Sequence, residues 1–331
     1  MKETLKKLFE HKSLSNLEAK TVLTHIAKGD YSDAEIAAFI SVYLMRSITI
    51  DELSGFRDAL QELCIRIDLS NFNTIDLCGT GGDEKNTFNI STLSSFVVAG
   101  SGAFVAKHGN YSVSSSCGSS NVLEYYGYKF TNNQDILKTQ LEKANICFLH
   151  APLFNPAMKN VAPVRKALRI KTFFNMLGPM INPSFPKNQM VGVYNLEVAR
   201  LYNYIYQRGN NNYIIVHALD GYDEVSLTGA FKVFMRDTER VLLPSDLNLN
   251  LLKASEIYGG SSVEESAKIF IQVLEGTSTK AQKEVVIANS ALAIKCYTPE
   301  LSFSECVNKA EESLKSGKAL KCFKTLIENG Y

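Results

Sequence analysis

The hydrophobic pattern of this chain changes at Thr74, and this change limits the folds it can adopt. Before Thr74, apolar residues recur at helical spacing, and the runs open on capping boxes, in which Ser or Thr precedes Glu by three residues. After Thr74, short apolar runs typical of buried strands alternate with helical runs. This order predicts a small N-terminal α-helical domain and a larger α/β domain with a mostly parallel central sheet.

Capping boxes mark the start of three helices, at Ser15, Ser32 and Thr49. The third box opens residues 53–64, whose apolar positions are spaced for one buried helix face. We therefore expect about four short helices in a helical domain of residues 1–72.

Short apolar runs after residue 73 predict the strands of the sheet, at residues 75–78, 104–106, 146–149, 190–194 and 213–217. Helical patterns lie between most of these runs, as in a parallel sheet. A Pro-containing segment near 160–185 interrupts the alternation, and we expect it to return to the helical domain. The α/β domain would then be residues 73–331, with helices again after Pro244.

The composition excludes several classes of protein. The 331 residues are 45% hydrophobic and 21% charged, which is too apolar for a disordered chain. The net charge is +1, so we expect no nucleic-acid partner. The longest nearly apolar stretch, residues 96–106, is shorter than the ~18 residues of a membrane span, and the first residues lack the apolar core of a signal peptide. We therefore expect no membrane contact.

Cysteine usage indicates the compartment. The seven cysteines are scattered and include no Cys-x-x-Cys pair. In a chain of this size, that pattern indicates reduced thiols rather than disulfides or a zinc site. We therefore expect a cytoplasmic protein.

A glycine-rich segment follows the first predicted strand. Residues 79–83 read Gly-Thr-Gly-Gly-Asp, and Asn, Ser and Thr cluster in residues 86–92 before the next helix. Such glycines let backbone N–H groups approach an anion, and a helix N-terminus adds positive potential. A tight turn followed by an ordinary N-cap has the same local pattern, and the segment is neither G-x-G-x-x-G nor a P-loop. Alone it is weak evidence for a phosphate site.

A second polar segment, residues 107–119, follows the second predicted strand. It begins with Lys107 and carries four hydroxyl side chains between Ser112 and Ser116. A flexible Ser/Gly linker has a similar composition. However, ligands of α/β sheets bind at the carboxyl ends of strands, where both segments lie. Together the two segments predict a phosphorylated ligand.

Asp223 and Glu224 follow the last predicted strand, at the same edge of the sheet. Adjacent carboxylates repel each other unless water or a cation separates them, and Mg²⁺ commonly binds one or two carboxylates together with substrate phosphates. A solvated acidic turn is the alternative. It is less favoured here because a phosphate site is predicted at the same edge.

Arg165 is a further candidate, because a guanidinium can hold a carboxylate through paired hydrogen bonds. An ordinary surface arginine explains the local sequence equally well. The histidines His108, His150 and His217 lack the spacing of metal ligands, and we interpret them as structural.

In their order and spacing, six segments resemble the anthranilate phosphoribosyltransferase family: residues 79–83, 89–92, 107–110 (Lys-His-Gly-Asn), 161–165 (Val-Ala-Pro-Val-Arg), 174–179 (Phe-Asn-Met-Leu-Gly-Pro) and 220–224 (Asp-Gly-Tyr-Asp-Glu). The resemblance covers about residues 3–329. It implies transfer of phosphoribose from phosphoribosyl pyrophosphate (PRPP) to the amino group of anthranilate, in tryptophan biosynthesis. It also implies a nucleoside phosphorylase/phosphoribosyltransferase-like fold, an active site between the domains and a homodimer formed through the helical domain.

The same resemblance implies which residues bind the substrates. The implied PRPP contacts are Gly79, Gly82, Asp83, Thr87, Asn89, Ile90, Ser91, Thr92, Lys107, His108, Gly109, Asn110, Tyr111, Ser112, Val113, Ser114, Ser115 and Ser119. The implied anthranilate contacts are Gly79, Asn110 and Arg165. Mg²⁺ is the implied cofactor, contacted by Ser91, Asp223 and Glu224. We expect no covalent nucleophile.

Five positions differ from the pattern expected of the family. Tyr111 stands where Arg often follows Lys-His-Gly-Asn, and Asn121 takes the place of an Asp. Asn155 takes the place of a His, Arg169 of a helix-ending Gly and Lys171 of an Arg. None of the implied Mg²⁺ contacts is among them.

Two other functions remain open from the sequence. Pyrimidine nucleoside phosphorylases share the overall fold, but they need a nucleobase-recognition segment that this sequence does not show. Nucleic-acid-binding relatives of the fold would be basic, whereas this chain is nearly neutral. The sequence shows no glutamine amidotransferase region, so anthranilate synthase would be a separate partner.

Overall fold

The computed structural model describes residues 1–112 and 116–329. The chain divides into a helical unit, Met1–Arg66 with Ala151–Pro183, and an α/β unit, Ile67–His150 with the chain from Ser184 onward. The first boundary therefore lies at Arg66 rather than at the expected residue 72. Phe72 explains the difference, because its ring packs edge-on against Phe104 of the sheet, with centroids 5.1 Å apart.

Helices make up most of the regular structure, and they are numbered here in chain order. The α-helices are α1 (Lys2–Phe9), α2 (Asn16–Lys28), α3 (Asp33–Met45), α4 (Ile50–Leu63), α5 (Ile90–Gly100), α6 (Ser119–Tyr125), α7 (Gln134–Ala144), α8 (Ala151–Phe154), α9 (Ala162–Leu168), α10 (Phe174–Leu177), α11 (Leu196–Gln207), α12 (Val263–Glu275), α13 (Lys280–Tyr297), α14 (Phe303–Lys315) and α15 (Lys318–Glu328). Short 3₁₀ helices are Pro156–Asn160, Gly178–Ile181, Pro244–Leu247 and Ala254–Ile257. No helix among the described residues has the length and apolar character needed to cross a membrane.

Within residues 1–112 and 116–329, one sheet contains seven strands, and its strands are β1 (Thr74–Gly79), β2 (Phe104–Gly109), β3 (Ile146–His150), β4 (Asn188–Gly192), β5 (Asn212–Ala218), β6 (Phe231–Phe234) and β7 (Glu239–Leu242). The spatial order is β3-β2-β1-β4-β5-β6-β7. Neighbouring strands are parallel from β3 through β2, β1 and β4 to β5. Strand β6 pairs antiparallel with β5, and β7 pairs antiparallel with β6. The prediction of a mostly parallel sheet is confirmed.

The strand order reverses between β1 and β4. The chain moves outward from β1 to β2 and β3 on one side, and from β4 to β5 on the other. In open α/β sheets, ligands bind in the crevice outside the carboxyl ends of the strands at such a reversal. The carboxyl ends here are Gly79 of β1 and Gly192 of β4, which lie opposite each other in register.

The predicted elements differ from the observed ones mainly at strand boundaries and in two missed strands. The capping boxes of Ser15, Ser32 and Thr49 are present. The strand expected at residues 190–194 begins and ends two residues earlier, as β4. The short strands β6 and β7 have no counterpart in the prediction, because four residues give a weak alternation signal and most of β7 is exposed.

Aromatic side chains form the core of the helical unit. Phe56 of α4 stacks on Phe173 of the returning segment with centroids 4.7 Å apart, and Phe173 stacks on Phe174 at 4.4 Å. Phe39 of α3 meets Phe56 edge-on at 5.8 Å. Contacts of this kind add to the hydrophobic gain of burying the rings. They explain why the returning segment folds with the first four helices, although β1, β2 and β3 lie between them in sequence.

A buried ion pair lies in the same unit. Glu52 is fully buried and receives two hydrogen bonds from the Arg46 guanidinium, at 2.6 and 3.0 Å. The backbone N–H groups of Leu14 and Thr49 and the Tyr43 hydroxyl also donate to this carboxylate. Burial alone would raise the pKa of Glu52, but the Arg46 and backbone hydrogen bonds hold it below its usual value.

Candidate functional site

The loop after β5 packs directly against the glycines that end β1 and β4. A Cβ on Gly79 would lie 2.5 Å from Oδ2 of Asp223, and a Cβ on Gly192 would lie 1.5 Å from the carbonyl oxygen of Asp223. A side chain at Gly192 would meet the Asp223 backbone, so glycine is needed there, and a side chain at Gly79 would displace the Asp223 carboxylate. The reversal point of the sheet therefore carries a carboxylate.

The glycine-rich loop after β1 contacts the same carboxylate. The Gly81 N–H donates to Oδ2 of Asp223 at 2.6 Å, and the Asp223 N–H donates to Oδ2 of Asp83 at 3.4 Å. Gly81 and Gly82 have φ values of +65° and +77°, a region that favours glycine. The fold thus brings together the two segments for which the sequence predicts phosphate and Mg²⁺ binding.

Glu224 joins this cluster through Thr87, whose hydroxyl donates to Oε1 of Glu224 at 2.7 Å. Both Asp223 and Glu224 are half-buried. They line one pocket whose other polar and glycine positions include Gly79, Ser91, Gly192 and Asn289. All three residues expected to contact Mg²⁺ therefore line the same pocket.

The three acids of this cluster have no ion-pair partner among the described residues. Burial, then the neighbouring charge of Asp83, raises the pKa of Asp223, and burial, then Asp223, raises the pKa of Glu224. Burial also raises the pKa of Asp83. Within residues 1–112 and 116–329, no Lys or Arg forms an ion pair with any of these three acids. The cluster is a place where a cation would lower the electrostatic free energy.

The donor set fits Mg²⁺ held together with a substrate. Among the described residues, no three His, Cys, Asp or Glu side chains are arranged to hold a metal ion by themselves. Mg²⁺ is usually bound by only one or two protein carboxylates, with water and substrate phosphates completing the shell. Asp223, Glu224 and the Ser91 hydroxyl are hard oxygen ligands of this kind.

Helix α5 begins beside this pocket, and Ser91 in its first turn is one of the residues that line it. In the described part of the chain, no side chain caps its N-terminus, because the Asn89 amide donates instead to the Cys117 carbonyl at 3.0 Å. An uncapped helix N-terminus attracts anions. The side chains of Ile90 and Thr92 are buried, so these two predicted residues can offer a ligand only their backbone.

Lys107 and His108 lie at the end of β2 with buried side chains. The Lys107 ammonium donates to the Leu77 carbonyl at 2.5 Å and to the His108 carbonyl at 3.4 Å. The His108 N–H donates to Oδ1 of Asp76 at 3.0 Å. The Lys107 charge is therefore directed at backbone carbonyl groups of β1 and β2. The sequence, in contrast, suggests that this charge is offered to a phosphate.

The residues after β2 are tied to the start of α6. The Ser119 hydroxyl donates to the Asn110 carbonyl at 3.2 Å and accepts from its N–H at 3.2 Å. The Asn121 side-chain oxygen accepts from the N–H groups of Ser112 at 3.2 Å and Gly118 at 3.0 Å, so it holds both ends of the loop. Three predicted PRPP contacts lie outside the described residues, namely Val113, Ser114 and Ser115.

Tyr111, which replaces the expected Arg, is held by its ring and its hydroxyl. The hydroxyl donates to Oε1 of Glu124 at 3.0 Å, and the ring meets His150 edge-on with centroids 5.0 Å apart. His150 in turn stacks on Phe130 at 4.2 Å and is hydrogen-bonded to the Ser120 hydroxyl at 2.8 Å. Tyr111 therefore anchors the loop through these contacts, whereas an arginine at this position would offer a positive charge to a ligand.

Arg165 lies in α9 of the helical unit. Its guanidinium is 3.4 Å from the side-chain oxygen of Asn175 and 5.4 Å from the centre of the Phe174 ring. Within residues 1–112 and 116–329 it forms no ion pair, and desolvation lowers its pKa. A half-buried guanidinium without a carboxylate suits an anionic ligand.

Two of the other replaced positions are visible in the same unit. Arg169 ends α9 with φ +54°, so it accepts the left-handed conformation for which glycine is preferred. Asn155 is buried, and its side-chain oxygen has no hydrogen-bond partner among the described residues. A buried oxygen of this kind is costly unless water or a ligand satisfies it.

Sequence reasoning missed Gly192 and Asn289 as parts of the pocket. Gly192 lies in the middle of the apolar run at residues 190–194, where an isolated glycine is a signal of a close backbone approach. Asn289 had a signal, because it is polar within an apolar helical run that is buried almost throughout. His217 is buried and bonded through Nδ1 to the Val193 carbonyl at 2.8 Å, which is a structural contact.

Comparison with known families matches both parts of the chain. The family described as "Glycosyl transferase family, helical bundle domain" matches residues 2–64. The family described as "Glycosyl transferase family, a/b domain" matches residues 71–320.

Individual relatives agree over the full length. An anthranilate phosphoribosyltransferase of Cytophaga hutchinsonii is 57% identical over 328 residues, which are 99% of this chain and 100% of that protein. The crystal structure of anthranilate phosphoribosyltransferase from Thermus thermophilus matches with a TM-score of 0.92 and 29% identity, over 98% of each chain. The Saccharomyces cerevisiae enzyme in complex with PRPP and Mg matches with a TM-score of 0.91 and 27% identity, over 98% of this chain and 96% of that one.

Proposed function

The chain belongs to the anthranilate phosphoribosyltransferase family, and from this premise we propose how its residues divide the work of the reaction. The enzyme transfers the phosphoribosyl group of PRPP to the amino group of anthranilate, giving N-(5-phosphoribosyl)anthranilate and pyrophosphate, in tryptophan biosynthesis. One observation carries the proposal for the site. A carboxylate pair without an ion-pair partner among the described residues lies against the glycines that end β1 and β4, beside the glycine-rich loop of residues 79–83. Family membership favours this transfer over the phosphorylase and nucleic-acid-binding alternatives.

PRPP is proposed to bind along the two loops that follow β1 and β2. Backbone N–H groups of the loop of residues 79–83 and of the first turn of α5 would hold the pyrophosphate, because they lie at a helix N-terminus. The N–H groups of Thr80 and Gly81 donate to the Gly192 carbonyl and to Asp223, so they would take part only after releasing these acceptors. The Thr87 hydroxyl and the loop from Asn110 to Ser119 would contact the remaining polar groups of PRPP. Lys107 would contribute by direct contact only if it released the Leu77 carbonyl.

Asp223 and Glu224, with the Ser91 hydroxyl, are proposed to hold Mg²⁺, directly or through water. The enzyme of Saccharomyces cerevisiae was solved with PRPP and Mg, which supports this assignment by similarity. When bound, Mg²⁺ supplies positive charge that stabilises the departing pyrophosphate. It would also balance the two carboxylates, whose pKa values are raised by burial and then by the charge of a neighbouring acid.

Arg165 is proposed to bind the anthranilate carboxylate, with Asn110 and the Gly79 backbone facing the same substrate. A guanidinium can form paired hydrogen bonds to a carboxylate, and anthranilate is the acceptor that carries one. Asn175 would hold the guanidinium in place from its other side.

The reaction mainly requires that the two substrates be positioned and that the departing pyrophosphate be stabilised. Displacement at the anomeric carbon develops positive charge on the ribose and negative charge on the leaving pyrophosphate. The attacking aromatic amine is already neutral at pH 7, so no strong general base is needed. We therefore propose a direct displacement by the amine of anthranilate, with no covalent intermediate on the protein.

We further propose that the two compact units are the functional domains, that two copies pair through the helical unit as a homodimer, and that the enzyme acts in the cytoplasm. Anthranilate synthase is a possible partner, since it makes the acceptor. Size-exclusion chromatography with light scattering measures the oligomeric state.

The test of the proposed function is the loss of anthranilate fluorescence on mixing with PRPP and Mg²⁺. We expect fluorescence loss that depends on both PRPP and Mg²⁺ and stops when EDTA is added. Folded protein that consumes no anthranilate would overturn the assignment and direct attention to another acceptor.

A further inference from the structure

Asn289 is a buried polar residue in the middle of α13, and it hydrogen-bonds to the chain directly after the carboxylate pair. Its side chain is 2% exposed. The side-chain oxygen accepts from the Val225 N–H at 3.1 Å, and the side-chain nitrogen donates to the Val225 carbonyl at 2.8 Å. The same nitrogen donates to the Val285 carbonyl at 2.8 Å. One amide therefore satisfies both polar backbone groups of the residue that follows Glu224.

This contact requires an amide side chain. Val225 is fully buried, so its N–H and carbonyl groups need partners inside the protein. The amide of Asn or Gln carries a donor and an acceptor on one carbon without any change of protonation, which suits both groups of one residue. Asn289 also lines the pocket that contains Asp223 and Glu224.

The carboxylate pair is thereby held from two directions. The backbone of Asp223 lies against Gly192, where a Cβ would be 1.5 Å from its carbonyl oxygen. The backbone of Val225 is held by Asn289 from α13. Between these two fixed points Glu224 has little freedom, and its carboxylate is further bonded to Thr87.

We propose that Asn289 is a positioning residue for Mg²⁺–PRPP binding, because it fixes the backbone that carries Asp223 and Glu224. The inference rests on the proposed role of this pair. Asn289 acts through the Val225 backbone and need not touch the cation or the substrate. Partners that orient metal ligands typically change metal affinity or activity by about 10- to 100-fold when they are removed.

The test compares Asn289→Ala and Asn289→Asp with the unchanged enzyme. The Asp variant keeps the acceptor for the Val225 N–H but places an oxygen against the two carbonyl groups. It therefore tests the loss of the side-chain donor without a loss of side-chain volume. PRPP is expected to raise the melting temperature when Mg²⁺ is present, and the first readout is the Mg²⁺ concentration at which half of this rise is reached. The second readout is kcat and KM. For both variants we expect this Mg²⁺ concentration to rise about 10- to 100-fold. The KM for anthranilate should stay unchanged.

Asn188 offers a matched control for the loss of a buried amide. It is 1% exposed at the start of β4, and its nitrogen donates to the Thr74 carbonyl at 3.1 Å. Asn188→Ala should lower the unfolding midpoint in urea while leaving the Mg²⁺ dependence unchanged. If the Asn289 variants lose stability but keep the normal Mg²⁺ dependence, Asn289 is only structural and the proposal is wrong. If the unchanged enzyme shows no Mg²⁺-dependent stabilisation by PRPP, the proposed function itself fails, and the inference fails with it.

Discussion

Two acidic sites in this molecule, Glu52, which is fully buried, and the half-buried pair Asp223 and Glu224, differ in how their charge is balanced. In the helical unit, Glu52 is surrounded by donors and paired with Arg46, and its pKa lies below the usual value. In the α/β unit, Asp223 and Glu224 lie side by side without a cationic partner among the described residues, and their pKa values are raised.

The difference separates a structural charge from a binding charge. A buried carboxylate that serves only the fold needs its counter-charge within the chain, because an unpaired one destabilises the folded state. A carboxylate that serves a ligand leaves that counter-charge to be supplied on binding. Arg165 is the cationic counterpart of the second kind, since it is half-buried without an ion pair in the described part of the chain.

The largest effect is expected from breaking the structural pair. Glu52→Gln removes the buried charge opposite Arg46 and leaves the half-buried guanidinium without its partner, which should cost up to about 3 kcal/mol of unfolding free energy. Urea unfolding at pH 7 measures it. Glu35→Gln is the matched control, because Glu35 occupies the same capping-box position in α3 but is not fully buried. A Glu52 variant as stable as the control would contradict the structural role.

The same variant gives a pH test. The pKa of Glu52 is lowered in the folded protein, so its contribution to stability is fully present above the unfolded pKa of about 4.3 and is lost as the pH falls through the folded pKa. The difference in urea midpoint between Glu52→Gln and the unchanged protein should therefore be constant near neutral pH and narrow in acid. A difference in urea midpoint that widens as the pH falls would contradict the lowered pKa of Glu52.

Removing Asp223 and Glu224 should reduce activity strongly and stability little, whereas the Glu52 variant should lose stability. Replacing Asp223 and Glu224 together by Ala should lower kcat on the order of 10²–10³-fold and abolish its dependence on Mg²⁺. The unfolding midpoint should fall little or rise, because mutual repulsion between the acids is removed. Steady-state turnover against Mg²⁺ concentration measures the first effect. Asp237→Ala, at an exposed acid beside β6, is the control, and wild-type Mg²⁺ dependence in the double variant would reject the metal assignment.

A smaller effect is expected at the unpaired cation. Arg165→Ala should raise the KM for anthranilate about 10- to 100-fold, since a hydrogen-bonded charge contributes roughly 1.5–3 kcal/mol, and leave the KM for PRPP unchanged. Lys166→Ala, at the exposed next position of α9, is the matched control. Equal increases in both KM values would show that Arg165 supports the fold rather than the acceptor.

Much of the fold could be predicted because its signals are local. A capping box spans four residues, so Ser15, Ser32 and Thr49 mark helix starts without reference to the rest of the chain. The strands β1, β2, β3 and β5 are visible as short apolar runs for the same reason. The antiparallel strands β6 and β7 were not, because short strands of four residues depend on their neighbours for stability.

The candidate site was predictable as a set of segments but not as a geometry. The glycine loop and the pair Asp223 and Glu224 stand out by residue type, yet nothing local states that Gly81 donates to Asp223 across 142 residues. The same limit explains why Lys107 was expected at the ligand although its ammonium lies against the Leu77 carbonyl.

By itself, the sequence determined the helix starts, the polar strand-end loops and the residue types available for chemistry, because each depends on a few neighbouring residues. Only the tertiary structure decided that β1 and β4 are neighbours, which brings Gly79 and Gly192 together beneath Asp223. It also decided that Glu52, recognisable from sequence only as a capping residue, is neutralised by Arg46 while Asp223 is not. The physical reason is that burial and counter-charge depend on residues that are distant along the chain and meet only when it packs.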